Sequence, residues 1–134
     1  SKSTSDKMRI MLESVVLNTN CFSVPQYTFQ NCVNLTNVKL SSKTVYVYAY
    51  AFDGCSSLTS IVLPAGLRQI NDYAFAGCTS IEELNIPSSV IEIRSFAFSG
   101  WSSSQTIYMG LSAPADGWYE DWQAGCFAKI VWAS

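Results

Sequence analysis

The sequence predicts a β-rich solenoid in which short coils stack on one continuous core. Three observations carry the prediction. One segment recurs at a fixed step of 23 residues, as Phe29-Gln30-Asn31-Cys32, Phe52-Asp53-Gly54-Cys55, Phe75-Ala76-Gly77-Cys78 and Phe98-Ser99-Gly100-Trp101. Four apolar columns keep the same step: Leu12, Leu35, Leu58 and Ile81; Val15, Val38, Ile61, Leu84 and Ile107; Leu17, Leu40, Leu63, Ile86 and Met109; Val24, Val47, Ile70 and Ile93. Apolar residues make up 49% of the 134-residue chain and charged residues 13%, which argues against disorder. One coil of this length cannot cover both sides of its own columns, whereas stacked neighbours can.

A period of roughly 20 to 29 residues is that of leucine-rich repeats, and each coil divides the same way. In Leu58-Thr59-Ser60-Ile61-Val62-Leu63, the recurring residues Leu58, Ile61 and Leu63 point inward, and the alternation favours a short strand over Ile61-Val62-Leu63. Pro64 and Pro87 end that strand because they have no N–H to donate. Leu67-Arg68-Gln69-Ile70-Asn71 gives a second stretch with Leu67 and Ile70 inward. The chain then turns back through Tyr73-Ala74-Phe75-Ala76-Gly77-Cys78. The small column of Thr28, Ala51, Ala74 and Ala97 lets a tight turn or one helical turn pack close to the core. Gly54, Gly77 and Gly100 supply the positive φ needed to leave it. Two strands and a compact helical turn per coil place the chain in the right-handed α/β superhelix class, with about four and a half coils.

The domain plan follows: an edge or linker over 1–9, the solenoid over 10–110 and a C-terminal cap over 111–134. The pattern fails at Trp101, which replaces cysteine, and at Ser104, which replaces leucine. Trp118, Trp122 and Trp132 then supply apolar cover for the end of the core, as solenoids require. No comparable cover is visible at the N-terminal end, so the expectation there is further repeats upstream or self-association through an open edge.

The run Ala-Phe-x-Gly-Cys-(Ser/Thr)-Ser-(Leu/Ile), then a strand ending in proline, then (Leu/Val)-x-x-Ile, resembles the BspA-like leucine-rich repeat. Residues 51–81 carry the match best and 82–100 follow; 6–50 are looser, with Asp6 and Arg9 where the Phe and Cys columns would begin. The stretch from Ala113 to Trp122 and the ending Lys129-Ile130-Val131-Trp132 resemble the closing segment of many such bacterial proteins. The resemblance implies an extracellular or surface-anchored bacterial protein, and the opening Ser1-Lys2-Ser3-Thr4-Ser5, with no signal peptide visible, leads to the expectation of a fragment whose export signal has been removed. It also implies binding to host matrix proteins, other bacteria or host cells.

The chain has no histidine. That removes Ser/His/Asp and Cys/His nucleophilic machinery, histidine zinc sites and the usual general base near neutral pH. No nucleophile elbow or phosphate loop is present either. No enzyme activity, cofactor or metal is therefore expected. Eight Lys and Arg in a chain of net charge −2 cannot form the basic patch that nucleic acid requires. The longest apolar run, around Val45 to Phe52, falls far short of the ~20 residues that span a bilayer. Cys32, Cys55 and Cys78 share a column and read as buried apolar filler, although adjacent coils lie near enough for a disulfide. Asp116, Glu120 and Asp121 read as solvent-facing charges of the cap.

The outward residues remain. On the first strand Val16, Lys39, Val62, Asn85 and Tyr108 fall one per coil, beside Glu13-Ser14, Thr36-Asn37, Thr59-Ser60, Glu82-Glu83 and Gln105-Thr106. A weakly charged sheet face suits protein contact, or is merely solvated. Tyr27, Tyr50, Tyr73 and Phe96 form a column read as a ladder packed on itself. Tyr46 and Tyr48 flank inward Val47 and are the tyrosines expected at the surface, for protein or carbohydrate. The candidate partner-binding residues are thus Lys39, Val62, Asn85, Tyr108, Tyr46, Tyr48, Asn37, Ser60 and Glu83. The function read from them is a non-enzymatic, secreted or cell-surface module that adheres to a protein, such as a host matrix or cell-surface protein. The alternative is a passive spacer or end-domain of a larger surface protein.

Overall fold

The computed structural model describes residues 4–134. Its elements run α1 (Thr4–Met11), β1 (Ser14–Val16), β2 (Ser23–Val24), β3 (Asn37–Lys39), β4 (Tyr46–Val47), β5 (Gln69–Ile70), β6 (Glu83–Ile86), β7 (Glu92–Ile93), β8 (Thr106–Met109) and β9 (Lys129–Val131). Every strand pair is parallel, and each mate lies one repeat on, as in Ser14↔Asn37, Val47↔Ile70 and Ile107↔Ile130. The first face holds β1-β3 and β6-β8-β9; the second is the continuous sheet β2-β4-β5-β7. The β-solenoid makes about five turns, half a turn more than the repeats suggest, because β9 adds a rung from within 111–134.

The third side of each coil is a turn rather than the helical turn that the sequence suggests. The N–H groups of Ala51, Asp53 and Cys55 close on the carbonyls of Tyr48, Tyr50 and Phe52. Those of Tyr50, Phe52 and Gly54 reach instead to the next coil, onto Asp72, Ala74 and Ala76. A helix cannot form here because left-handed residues bracket each turn. Gly54, Gly77 and Gly100 have φ of 79°, 73° and 87°, as expected, but Tyr27, Tyr50, Tyr73 and Phe96 are also left-handed, at 64°, 59°, 54° and 58°. Among the described residues α1 is the only helix.

A bulky residue in that conformation costs ~1–2 kcal/mol. What offsets the strain is contact between equivalent rings. The Tyr27–Tyr50, Tyr50–Tyr73 and Tyr73–Phe96 centroids lie 5.1, 4.9 and 5.2 Å apart and are nearly parallel. That repeat is the ~4.8 Å spacing of hydrogen-bonded strands, so the backbone ladder sets the ring stack. An inner ladder of Phe29, Phe52, Phe75 and Phe98 steps by 5.3, 5.3 and 5.9 Å through the core. Leu35, Leu58, Leu67, Ile70, Ile81 and Leu84 fill the space around it, fully buried.

Both ends depart from the repeat. Of the edge or linker expected over 1–9, residues 1–3 lie outside the described residues, and from Thr4 the chain is helical. On the turn side this end carries polar contacts that the repeat pattern does not announce. Arg9, read as a break in the Cys column, places one guanidinium nitrogen 2.9, 3.1 and 2.9 Å from the carbonyls of Tyr27, Thr28 and Gln30. A preceding coil would offer backbone N–H groups there; Arg9 substitutes for them. Arg9→Ala should weaken the first coil by about 1 kcal/mol, seen as roughly fivefold faster amide exchange at Phe29 and Asn31. Exchange unchanged there would show that the contact carries no stability.

At the other end the last coil runs out of step. The N–H of Phe96 reaches Asp121 and that of Gly100 reaches Gly125. Trp118 and Trp122 are buried and pack 5.2 Å apart, with Trp132 6.0 and 6.2 Å from them. Trp122 meets Phe98 edge-on at 6.3 Å. Asp121, expected to face solvent, accepts a hydrogen bond from the Ser95 hydroxyl at 2.8 Å.

One interior position is frustrated. Thr44 stands in the Leu67–Val90 column, fully buried, and its hydroxyl has no partner. Thr44→Val keeps the shape and removes the orphan, so it should stabilise by about 1 kcal/mol, or about 3 °C in Tm. A lower Tm would sink that account.

Candidate functional site

The first face is not one sheet. The strand expected over Ile61-Val62-Leu63 does not form: Ser60 makes an isolated bridge to Asn37, and β6 pairs only with β8. The side chains still alternate as predicted, with Ile61 and Leu63 buried and Val62 83% exposed. One difference lies one position beyond the strand. In the last coils Gly110 donates its N–H to Ile86. The equivalent donors are Pro64 toward Leu40 and Pro87 toward Leu63, and proline has none. Two prolines therefore remove the closing rung on both sides of the third coil.

Beside this break lies an open groove of about 900 Å³ across the first three coils. Val16, Asn37, Lys39, Ser60, Val62 and Pro64 to Gly66 are among the residues that line it. Four of the nine predicted contact residues, Asn37, Lys39, Ser60 and Val62, are thus brought together. Val16 is 73% exposed and stands opposite Lys39 in the β1–β3 register. Lys39 is the only charged residue in the lining, which has no aromatic ring.

The other predicted residues lie elsewhere. Glu83 and Asn85 on β6 and Tyr108 on β8 continue the first face beyond the break, with Asn85 opposite Tyr108. Tyr46 belongs to β4 on the second face, and its ring stacks on Tyr48 at 5.6 Å. These two tyrosines cannot share a site with Tyr108 on one strand face. Tyr46 is 39% exposed, whereas Tyr48 is half-buried. Gln105, assigned to the outward row, points inward and donates to the carbonyls of Cys78 and Ile81, both at 2.9 Å. With Ser104 in place of leucine, an apolar side chain is missing there and the amide fills the position. The aromatic column offers no platform along its length, because each ring face is taken by its neighbour.

The cysteine column has a polar task that apolar filler does not convey. The Cys55 thiol donates to the Phe29 carbonyl at 3.1 Å and the Cys78 thiol to Phe52 at 3.2 Å; Trp101 Nε1 does the same for Phe75 at 2.8 Å. Burial pushes the Cys55 thiol up to about 12 and Cys78 well above its ordinary value. Both therefore stay protonated at neutral pH, as donors rather than nucleophiles. The substitution at position 101 keeps the hydrogen bond. A sequence signal existed, since cysteine and tryptophan share an N–H or S–H donor.

The sequence matches the pattern of the BspA type leucine rich repeat region in six copies over residues 8–113. The chain belongs to the BspA-type leucine-rich-repeat family. Two solved bacterial structures share the fold. The leucine-rich repeat protein of T. pallidum is 27% identical with a TM-score of 0.72, over 91% of this chain and 57% of that one. A leucine-rich repeat protein from Bacteroides ovatus is 20% identical with a TM-score of 0.68, over 77% of this chain and 33% of that one. The chain therefore spans between a third and somewhat over half the length of these structures. No curated protein matches it. Leucine-rich repeats generally mediate protein–protein interaction, and the solenoid is in general a non-enzymatic binding scaffold. Among the described residues no helix is long and apolar enough to cross a membrane.

Proposed function

We propose that this chain is a non-enzymatic adhesion module of a secreted or cell-surface bacterial protein, and that it grips a protein partner through the first-face groove. The observation that carries this reading is the groove itself. Predicted contact residues line a concavity of about 900 Å³ whose lining includes two exposed valines and one cation. An isolated exposed valine needs no explanation, but two flanking a cation in a concave site are what a partner can cover. A host matrix or cell-surface protein suits a BspA-type repeat. Carbohydrate would find no ring in this groove and would have to use Tyr46 and Tyr48 on the second face. In this reading residues 10–110 are the solenoid proper, and Trp118, Trp122 and Trp132 in 111–134 close its apolar end.

The test is binding of the folded chain to immobilised matrix proteins and mucosal glycans. Lys39→Glu with Val62→Asp should weaken saturable protein binding at least about tenfold, the scale of a lost contact centre, with an unchanged circular-dichroism spectrum. Tyr46→Ala with Tyr48→Ala should leave it intact. Indifference to both pairs would favour the passive spacer, and loss only with the tyrosine pair would move the site to the second face.

A further inference from the structure

We infer that the groove takes an extended peptide segment bearing one carboxylate with apolar residues close on either side. This rests on reading the groove as the binding face and adds the chemistry of what it holds. Three features of the lining converge on that ligand. The first is charge: Lys39 is exposed and is the only ionic group among the lining residues, with no carboxylate beside it in the groove wall. A carboxylate arriving there meets a cation and no competing anion.

The second is spacing. Val16 is the register mate of Lys39, and Val62 holds the same position one coil further on. The Val16↔Lys39 register and the Asn37↔Ser60 bridge hold neighbouring coils near the ~4.8 Å strand spacing, so a methyl-bearing side chain leaves the backbone on each side of Lys39. An extended chain advances ~3.3 Å per residue. Laid across the coils with a carboxylate over Lys39, it turns the residues two places away, which share that face, toward Val16 and Val62. The third is the rest of the wall. Ser42 and Ser60 present exposed hydroxyl-bearing side chains, whereas the buried Ser41 hydroxyl is already held by Thr19 and Lys43, and no ring is available to stack a sugar. A peptide backbone has the donors and acceptors that such hydroxyls can meet.

The lysine ammonium also fits this task. It is a compact charge on a long stem, so it follows a carboxylate without demanding one geometry. The groove is open, so the pair stays hydrated and the preference is modest.

The experiment uses two capped seven-residue peptides that alternate threonine and valine from a terminal threonine, the central valine being replaced by aspartate in one and by asparagine in the other, so that the two remaining valines share its face. Each is titrated into the full chain with labelled valine methyls. The expected result is shifts at Val16 and Val62 with both peptides and about fourfold tighter binding of the aspartate peptide, within the range of an exposed ion pair. That preference should vanish in Lys39→Met and shrink as salt is raised. Equal affinity for the two peptides would overturn the carboxylate assignment while leaving the groove as a binding face. Shifts at neither valine would overturn both. Shifts at Tyr46 neighbours such as Val47 instead would overturn both and point to the second face.

Discussion

Phe75→Ala is expected to lower the stability of the whole stack by about 3–5 kcal/mol, the range for truncating a buried aromatic. Phe75 is fully buried and sits between Phe52 and Phe98, with centroids 5.3 and 5.9 Å away. Its backbone also belongs to the rungs, because its N–H reaches Ala97 and its carbonyl accepts from Cys78 and from Trp101. Truncation removes both ring contacts, and the rigid ladder on either side hinders collapse into the cavity. The wider consequence is loss of cooperativity. Each coil of a solenoid touches only its neighbours, so a weak middle coil separates two blocks. The chain provides its own reporter, because all four tryptophans lie at or beyond position 101. Fluorescence follows the C-terminal block, and far-ultraviolet circular dichroism follows the whole. In urea the two signals should coincide for the parent chain and separate for Phe75→Ala. A loss below about 1 kcal/mol, or coincident transitions in the variant, would show that the inner ladder is not the element joining the halves.

How far the fold was legible depends on what each residue reveals by itself. The columns of Leu58, Ile61 and Phe75 were legible because burial depends on apolar side chains at a fixed step, and the step is visible in the letters. Gly54 and Gly77 announced left-handed backbone because glycine is the residue that enters it without strain. Tyr50 and Tyr73 adopt the same conformation and gave no such notice. Their strain is offset by neighbours 23 positions away, and local propensity does not carry that information. Arg9 was misread for a related reason. Against the repeat it is a defect in the cysteine column, and only the three converging carbonyls give it a task. The groove was legible in part. Alternation placed Lys39 and Val62 on the surface, but it could not tell the first face from the second, so Tyr46 was grouped with Tyr108. Pro64 and Pro87 mark the break that bounds the groove. Its effect required knowing that Gly110, in their column, donates across the coils.

Trp101 is where the cysteine column and the end of the stack meet, and its replacement separates two contributions. Trp101→Ala should cost about 3–5 kcal/mol through the cavity beneath Phe98, whose ring it meets edge-on at 5.4 Å. Trp101→Phe keeps much of that contact and removes the indole N–H from the Phe75 carbonyl. That carbonyl retains the Cys78 N–H at 3.3 Å, so it is weakened rather than orphaned. The expected loss is therefore smaller, about 2 kcal/mol for the hydrogen bond and the reduced volume together. Cys78→Ala tests the same bond one coil earlier, where the thiol makes it at 3.2 Å and the volume lost is small. Thermal melts of the three variants can be compared directly. If Trp101→Phe melts with the parent chain, the donor at this column contributes nothing and cysteine is chosen for size. A clear loss in both Trp101→Phe and Cys78→Ala would make each Phe carbonyl a point where one coil is fastened to the next through a side chain.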